Sequence, residues 1–378
     1  MKKKIGILTQ PLHDNYGGLL QAYALKSTLE KLDFNVEIVN RRKPYHSLKY
    51  RIANLLNRIR GKKTSYSLSI SEKSIISKNT RYFAETYIKD ITAPIYTSGQ
   101  LKSIKNNYDA FVVGSDQVWK PAYSPDIANY YLDFVTNNKV AGLAYAASFG
   151  GDTWDYSPEQ TATCLAHVHK FKAISVREES GVNLCKNNLR VEAVHVLDPT
   201  MLLKKEHYIT LINNEKEKIN SEHVLMHYVL DMENPKQQLI DKLADALKLT
   251  PVSVTQKKKV TKENVHSNIE DCIYPTVTSW LNGFHQSEFV ITDSFHGTVF
   301  AILFNKPFLV FGNPGRGNAR FTSLLKMFGL EERFVLDASK VTVNDIQNMD
   351  EIDWNKVNGI LESKRDLSFN FLKNNLVI

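Results

Sequence analysis

The sequence predicts an α/β protein built from two Rossmann-like domains that face a cleft. Three observations carry this. Short apolar runs of strand length alternate with segments of helical periodicity along nearly the whole chain, the pattern of a mostly parallel sheet covered on both faces. The alternation lapses around Pro199 to Asn220, where charged, Asn- and Lys-rich sequence reads as an interdomain connection. A length of 378 residues with 43% apolar content suffices for two cores, given the usual ~100–200 residues per domain.

Taken in order, Lys4 to Thr9 is predicted as the first strand, and Gly18 to Leu32 as a helix burying Leu19, Ala22, Leu25 and Leu29. Asn35 to Val39 is the second strand, followed by a basic segment and by helices near Ser71 to Tyr87 and just before Asn107. Strands at Tyr108 to Val113, Val140 to Ala147, Ala173 to Val176 and Val191 to Leu197 complete the first domain. The helices between them lie near Pro158 to Phe171 and Glu178 to Lys186. The second domain alternates strands His223 to Val229, Val252 to Val254, Phe289 to Thr292 and Phe308 to Phe311 with helices near Pro235 to Leu249, Thr276 to Gln286 and His296 to Phe304. Asp353 to Leu376 reads as a closing helix. The predicted domains run 1–205, with a basic helical insertion at 41–90, and 206–350, followed by a C-terminal helix at 351–378.

Composition narrows the function classes. No stretch reaches the ~18 apolar residues of a membrane span. The basic start is followed only by Ile5 to Leu8, too short for a signal peptide. Cys164, Cys185 and Cys272 show no metal-ligand spacing and read as reduced thiols of a cytosolic protein. The net charge of +8 is concentrated: residues 41–82 hold twelve Lys/Arg against Glu72, leaving 36 basic against 39 acidic residues elsewhere. There Leu48, Ile52, Leu55, Leu56 and Ile59 share a helical face, with Lys49, Arg51, Arg58, Arg60, Lys62 and Lys63 mostly off it. Such a basic amphipathic helix suits either an anionic membrane surface, through residues 45–63, or packing on the domain with a solvated cationic face. Nucleic acid is not expected, because the basic residues lack interleaved aromatics.

In parallel sheets ligands bind outside the carboxyl ends of strands. Four such ends carry chemistry here. After the first strand, Asp14–Asn15–Tyr16–Gly17–Gly18 opens into a helix, reading as a ligand loop or a tight turn without dinucleotide or P-loop spacing. Gly114–Ser115–Asp116–Gln117–Val118–Trp119 places a carboxylate and an indole where a sugar could bind, unless Asp116 is a cap and Trp119 core. Arg177 can fork onto a carboxylate or phosphate, or pair with Glu178, Glu179 or Asp198. In the second domain Asp293–Ser294–Phe295–His296–Gly297–Thr298 leads from a strand into a helix, whose N-terminus favours an anion. The plainer reading there is an N-cap and a surface histidine. The loop at 312–320 adds Arg316 and Arg320.

The runs NYGGLLQAYAL, FVVGSDQVW, YAASFG, ISVREESG, LDPT and ITDSFHGTVFAILFNKPF, in this order from about Lys4 to Leu330, resemble the polysaccharide pyruvyl transferase family. The resemblance implies a glycosyltransferase-B-like fold, with a first domain on the acceptor side, a second on the donor side and the last helix packing back on the first. It also implies transfer of pyruvyl from phosphoenolpyruvate to sugar hydroxyls as a ketal. His296 matches the family's donor-linked histidine, and Arg177 an arginine associated with the same donor. Many members carry arginine two residues before that histidine; here the position is Ser294. Arg316 or Arg320 would then supply the missing charge.

The expected mechanism seats the phosphate at the Ser294–Thr298 helix start, beside His296 and Gly297, and the carboxylate near Arg177, in an electropositive pocket. His296 serves as the acid or pairs with the phosphate. Asp116 is the first candidate base and Asp14 the second. Asn15, Tyr16, Gly17, Gly18, Ser115, Gln117 and Trp119 face a sugar or lipid-linked oligosaccharide acceptor. No step requires a metal or other cofactor. The expected location is cytoplasmic, with peripheral contact at the inner face of the membrane. A nucleotide-sugar glycosyltransferase and a non-catalytic scaffold of glycan assembly are the alternative readings.

Overall fold

The computed structural model describes residues 2–12, 14–43, 68–136, 140–215, 221–312 and 317–377. Two all-parallel sheets organise them. The first contains β1 (Lys4–Leu8), β2 (Asn35–Ile38), β3 (Ala110–Val113), β4 (Ala141–Ala147), β5 (Phe171–Val176) and β6 (Val194–His195), in the order β2-β1-β3-β4-β5-β6. The second contains β7 (Val224–Tyr228), β8 (Thr250–Val252), β9 (Ser287–Thr292), β10 (Phe308–Phe311) and β11 (Phe334–Val335), in the order β11-β10-β9-β7-β8. These are two parallel-sheet α/β domains meeting along a cleft, as the alternation predicts.

The period-2 alternation of each strand decides how the cores divide. Ile5, Ile7, Ala110 and Val112 face one core, while Leu8, Phe111 and Val113 face another. In the second sheet Val224, Met226, Val290 and Val310 join the same core as Ile5 and Ile7, and Leu225, Phe289, Ile291 and Leu309 line a third. One apolar layer is therefore common to both domains. The helices that matter for the site are α1 (Tyr16–Lys31), α2 (Glu179–Leu184), α3 (Lys205–Glu215), α4 (Val277–Gln286), α5 (Phe295–Leu303), α6 (Ala319–Phe328) and α7 (Trp354–Asn375). Tyr208 of α3, Trp280 and Phe284 of α4 and Phe300 of α5 pack ring to ring in the shared layer at 4.6–5.4 Å. At the end of the chain α7 crosses to the first domain: Arg365 Nε donates to the Met201 carbonyl at 2.8 Å, and Ser368 Oγ accepts from Leu197 N–H at 3.0 Å.

Several elements differ from the expectation. The connection expected around Pro199 to Asn220 contains a 3-10 turn, Pro199–Leu202, and the helix α3, because Tyr208, Leu211 and Ile212 recur at helical spacing and bury. The strand expected at Val191 to Leu197 shrinks to two residues, since the Leu197 N–H turns to Ser368 instead of the sheet. The expected 252–254 strand lies at Thr250–Val252. The helix expected from Ser71 to Tyr87 divides into Ile70–Ile76, Lys78–Phe83 and a π-turn at Ala84–Ile88. Arg320, expected in a loop, stands in the first turn of α6. The basic amphipathic segment 45–63 and Arg316 lie outside the described residues. Among the described residues no helix is long and apolar enough to cross a membrane.

Candidate active site

The carboxyl ends of both sheets meet at one seam. Strand β5 runs out into Arg177 and Glu178, and the segment after β6 carries Asp198. From the other domain, β9 ends in Thr292, and α5 begins with Phe295 and His296. Asp198 lies between them: its Oδ2 is 2.9 Å from Arg177 Nη1 and 3.5 Å from His296 Nε2. Its Oδ1 accepts from Thr200 N–H at 3.0 Å and from the Thr200 hydroxyl at 2.6 Å. The other edge of the imidazole rests on Gly17 of α1, where any Cβ would collide with the ring; the distance to His296 Cβ would be 2.8 Å. His296 is only 6% exposed, yet it sits where the two lobes touch and is not enclosed within one of them.

Arg177 is ringed by acids. Besides Asp198, its Nη2 lies 3.5 Å from Asp116 and its Nε 3.6 Å from Glu178, with all four side chains at most 10% exposed. Its guanidinium stacks on the Phe295 ring at 4.4 Å, and Arg320 approaches the same ring at 6.0 Å. Burial alone would disfavour the charge on Arg177, but Asp198, Glu178 and Asp116 reverse that and raise its pKa. Burial likewise pushes Asp198 upward; the charge and hydrogen bond of His296, then Arg177 and Thr200, outweigh it and hold Asp198 well below the usual carboxylate range. Glu178 goes the other way, raised by burial against the opposing pull of Arg177, Ser148 and Arg320. Arg320 is lowered, by burial first and by the like charge of Arg177 second. The expected electropositive pocket is thus corrected: among the described residues, the carboxylates of Asp116, Glu178 and Asp198 face Arg177, Arg320 and His296.

The other expected site residues distribute unevenly. Ser294 caps α5, its hydroxyl accepting from Gly297 N–H at 3.4 Å, while Asp293 instead binds the Leu230 and Asp231 N–H groups after β7. Gly297 does not make room for a ligand; a Cβ there would collide with the Thr292 side chain, so the glycine lets helix and strand pack closely. Thr298 is fully buried and donates to the Ser294 carbonyl. Trp119 is core, with its indole N–H on the Tyr130 carbonyl and its ring stacked on Tyr131, and presents no face to a sugar. Tyr16 is also core, stacked on Trp280 and bonded to the Pro275 carbonyl. Ser115 is fully buried, with its hydroxyl on the Ala146 carbonyl, and presents no surface to an acceptor.

Asn15 is the exposed N-cap of α1, accepting from Gly18 N–H at 3.2 Å. Asp14 accepts from the Thr80 hydroxyl, and burial raises its pKa against the pull of Thr80 and Lys73. Asp116 is engaged by Arg177, and Gln117 is half-buried beside Gly150. Among the described residues no group of three or more His, Cys, Asp and Glu side chains is placed to hold a metal ion.

In the sequence, Asp198 and Glu178 stand only as possible ion-pair partners of Arg177. Asp198 is instead the group that joins Arg177 to His296. The Leu197–Asp198–Pro199 run was a signal for it, since a carboxylate before proline at a strand end is fixed by backbone geometry. Glu179, the third possible partner, pairs across the seam with Lys326 of α6 at 2.7 Å.

Solved structures resemble the chain loosely. The UDP-GlcNAc 2-epimerase from Neisseria meningitidis bound to UDP-GlcNAc is 12% identical over 97% of this chain and 94% of its own, with a TM-score of 0.48. S. aureus MnaA in a co-structure with UDP is 15% identical over 92% and 86%, with a TM-score of 0.49. A glycosyltransferase from Rickettsia africae is 12% identical over 98% and 94%, with a TM-score of 0.46. No curated protein matches in sequence. The family model of polysaccharide pyruvyl transferases matches residues 15–315, most of the chain and with it Asp116, Arg177, Glu178, Asp198 and His296, and the protein belongs to that family.

Proposed function

We propose that the protein transfers a pyruvyl group from phosphoenolpyruvate to two hydroxyls of a sugar in a surface-polysaccharide precursor, closing a ketal. The observation that supports this most is the single carboxylate, Asp198, which holds Arg177 of one lobe and His296 of the other. A donor bound at this seam would meet a cationic fork and a proton-carrying ring already oriented with respect to each other, which is how positioning lowers a barrier. Arg177, stacked on Phe295, and Arg320, near the same ring, face the donor's anionic groups. Ser294 offers a cap where many family members have arginine, so that burden falls on these two.

In the proposed reaction His296 protonates the methylene carbon while a sugar hydroxyl attacks the adjacent carbon. Phosphate then leaves with its bonding electrons, and a second hydroxyl closes the ketal. Nε2 of His296 faces Asp198, which turns Nδ1 toward Gly17 and the start of α1. His296→Ala should lower phosphate release at least 100-fold, the scale of general acid–base catalysis (~10²–10⁴). The deciding assay incubates the protein with phosphoenolpyruvate and candidate acceptor glycans. Phosphate release with formation of a pyruvyl ketal supports the reading. Turnover of nucleotide-sugars in its place would establish a glycosyltransferase, and no turnover with either donor a scaffold. We also place the acceptor near anionic lipid, on the strength of the basic residues at 45–63.

A further inference from the structure

Glu178 is fully buried between the loop after β4 and Arg177. Its Oε1 accepts from the Ser148 hydroxyl, and Ser148 Oγ in turn accepts from Gly150 N–H at 3.1 Å. Its Oε2 is buried with no hydrogen-bond partner. On the far side of Gly150, Gln117 Oε1 is in the same condition, buried and without a donor, in the space a Cβ on Gly150 would need. The second lobe closes on this spot through Gly317, where a Cβ would lie 2.6 Å from the Gly150 carbonyl oxygen. Two buried acceptors lacking donors are thus linked through Ser148 and Gly150. Buried acceptors without partners are rare, and a catalytic role is one reason they occur. Ionised phosphoenolpyruvate offers acceptors only and cannot satisfy them. Hydroxyl groups can.

We propose that Glu178 Oε2 takes the proton of the attacking sugar hydroxyl and that Gln117 Oε1 receives the acceptor's second hydroxyl, while Asp116 serves to balance Arg177. The assignment rests on the pyruvyl-transfer reading above. In the step, the hydroxyl O–H bond breaks and its proton passes to Glu178. A C–O bond forms to the carbon bearing the phosphate, and the methylene carbon gains the proton that His296 loses. The second hydroxyl's proton leaves with the phosphate, and solvent exchange resets Glu178 and His296. Burial raises Glu178 against Arg177, Ser148 and Arg320, and Cys185 also senses its charge. A carboxyl raised toward the working pH is the better proton acceptor.

The test compares Glu178→Gln, which keeps volume and can keep the Ser148 hydrogen bond, with Asp116→Asn. Expected is a fall of at least 100-fold in kcat for Glu178→Gln, with KM for phosphoenolpyruvate and the melting temperature close to wild type. The acid limb of the kcat profile should vanish in Glu178→Gln and persist in Asp116→Asn, and Glu178→Asp should recover part of the rate. Kcat within threefold of wild type would overturn the assignment, as would a loss confined to KM for phosphoenolpyruvate or an acid limb that vanishes in Asp116→Asn. If Glu178→Gln does not fold, Gln117→Leu decides. A rise of at least tenfold in KM for the acceptor, with KM for the donor unchanged, supports the pocket, and an unchanged acceptor KM overturns it. Wild-type protein that releases no phosphate from phosphoenolpyruvate refutes the donor reading and this assignment with it. An active enzyme indifferent to Glu178→Gln overturns this assignment alone.

Discussion

Replacing Arg177 with alanine would leave Asp116, Glu178 and Asp198 facing one another in the interior without their common cation. Removing one partner of a buried ion pair destabilises by about 3–5 kcal/mol. Glu178 already has a raised pKa and can take up a proton, which relieves part of the repulsion. The lower end, about 3 kcal/mol, is therefore expected at pH 7.5. At roughly 2–4 °C per kcal/mol for a large domain, the melting temperature should fall by about 6–12 °C. The sign of the pH dependence follows from linkage. In the variant Glu178, already raised by burial, loses the opposing pull of Arg177, so the folded state binds its proton ahead of the unfolded chain and gains stability as pH falls toward the unfolded value of about 4. Thermal melts should show a deficit at pH 5 less than half that at pH 8. A melting temperature within about 2 °C of wild type at pH 7.5 would refute this reasoning. It would mean the guanidinium is not needed to neutralise the acids.

Asp198→Asn should also destabilise by roughly 3 kcal/mol near neutrality. Because the folded pKa of Asp198 is depressed, its contribution is present above the unfolded value of about 4 and is lost as pH falls through the folded pKa. Acid melts in which the gap to wild type widens below pH 4 would contradict the depressed pKa. Gly17→Ala would drive a methyl into the His296 ring, so the lobes should close imperfectly. Turnover should fall about 100-fold, the scale of a 1 Å misplacement, and an unaffected rate would show that this contact is absent during catalysis. Lipid recruitment through residues 45–63 should appear as liposome sedimentation that weakens with added salt, since exposed cationic contacts are screened. Salt-insensitive or absent binding would argue against it.

Local sequence patterns account for much of what the structure contains. Apolar runs such as Phe289 to Thr292 and Ala110 to Val113 become buried parallel strands because backbone pairing and period-2 burial suit them wherever they lie. The helix after His296 follows in the same way from the spacing of Val299, Phe300, Ile302 and Leu303. Where pattern was weak, as in Lys205–Glu215, three apolar residues at helical spacing were enough once a partner layer existed to cover them.

The candidate site depended on contacts between residues distant in sequence. Arg177, Asp198 and His296 are brought together only when two sheets dock carboxyl end to carboxyl end. Nothing within a window of a few residues distinguishes Glu179, which turned outward to Lys326, from Glu178, which turned inward to Arg177 and Ser148. Trp119 followed the same rule in reverse: a residue type suited to a sugar face was claimed by the core because Tyr131 and the Tyr130 carbonyl stood ready beside it. The chain alone therefore determined the alternation of strands and helices and the strand ends where chemistry could sit. Docking of the two lobes decided which charges face each other, because burial and distance set their protonation and pairing, and both are properties of the assembled interior.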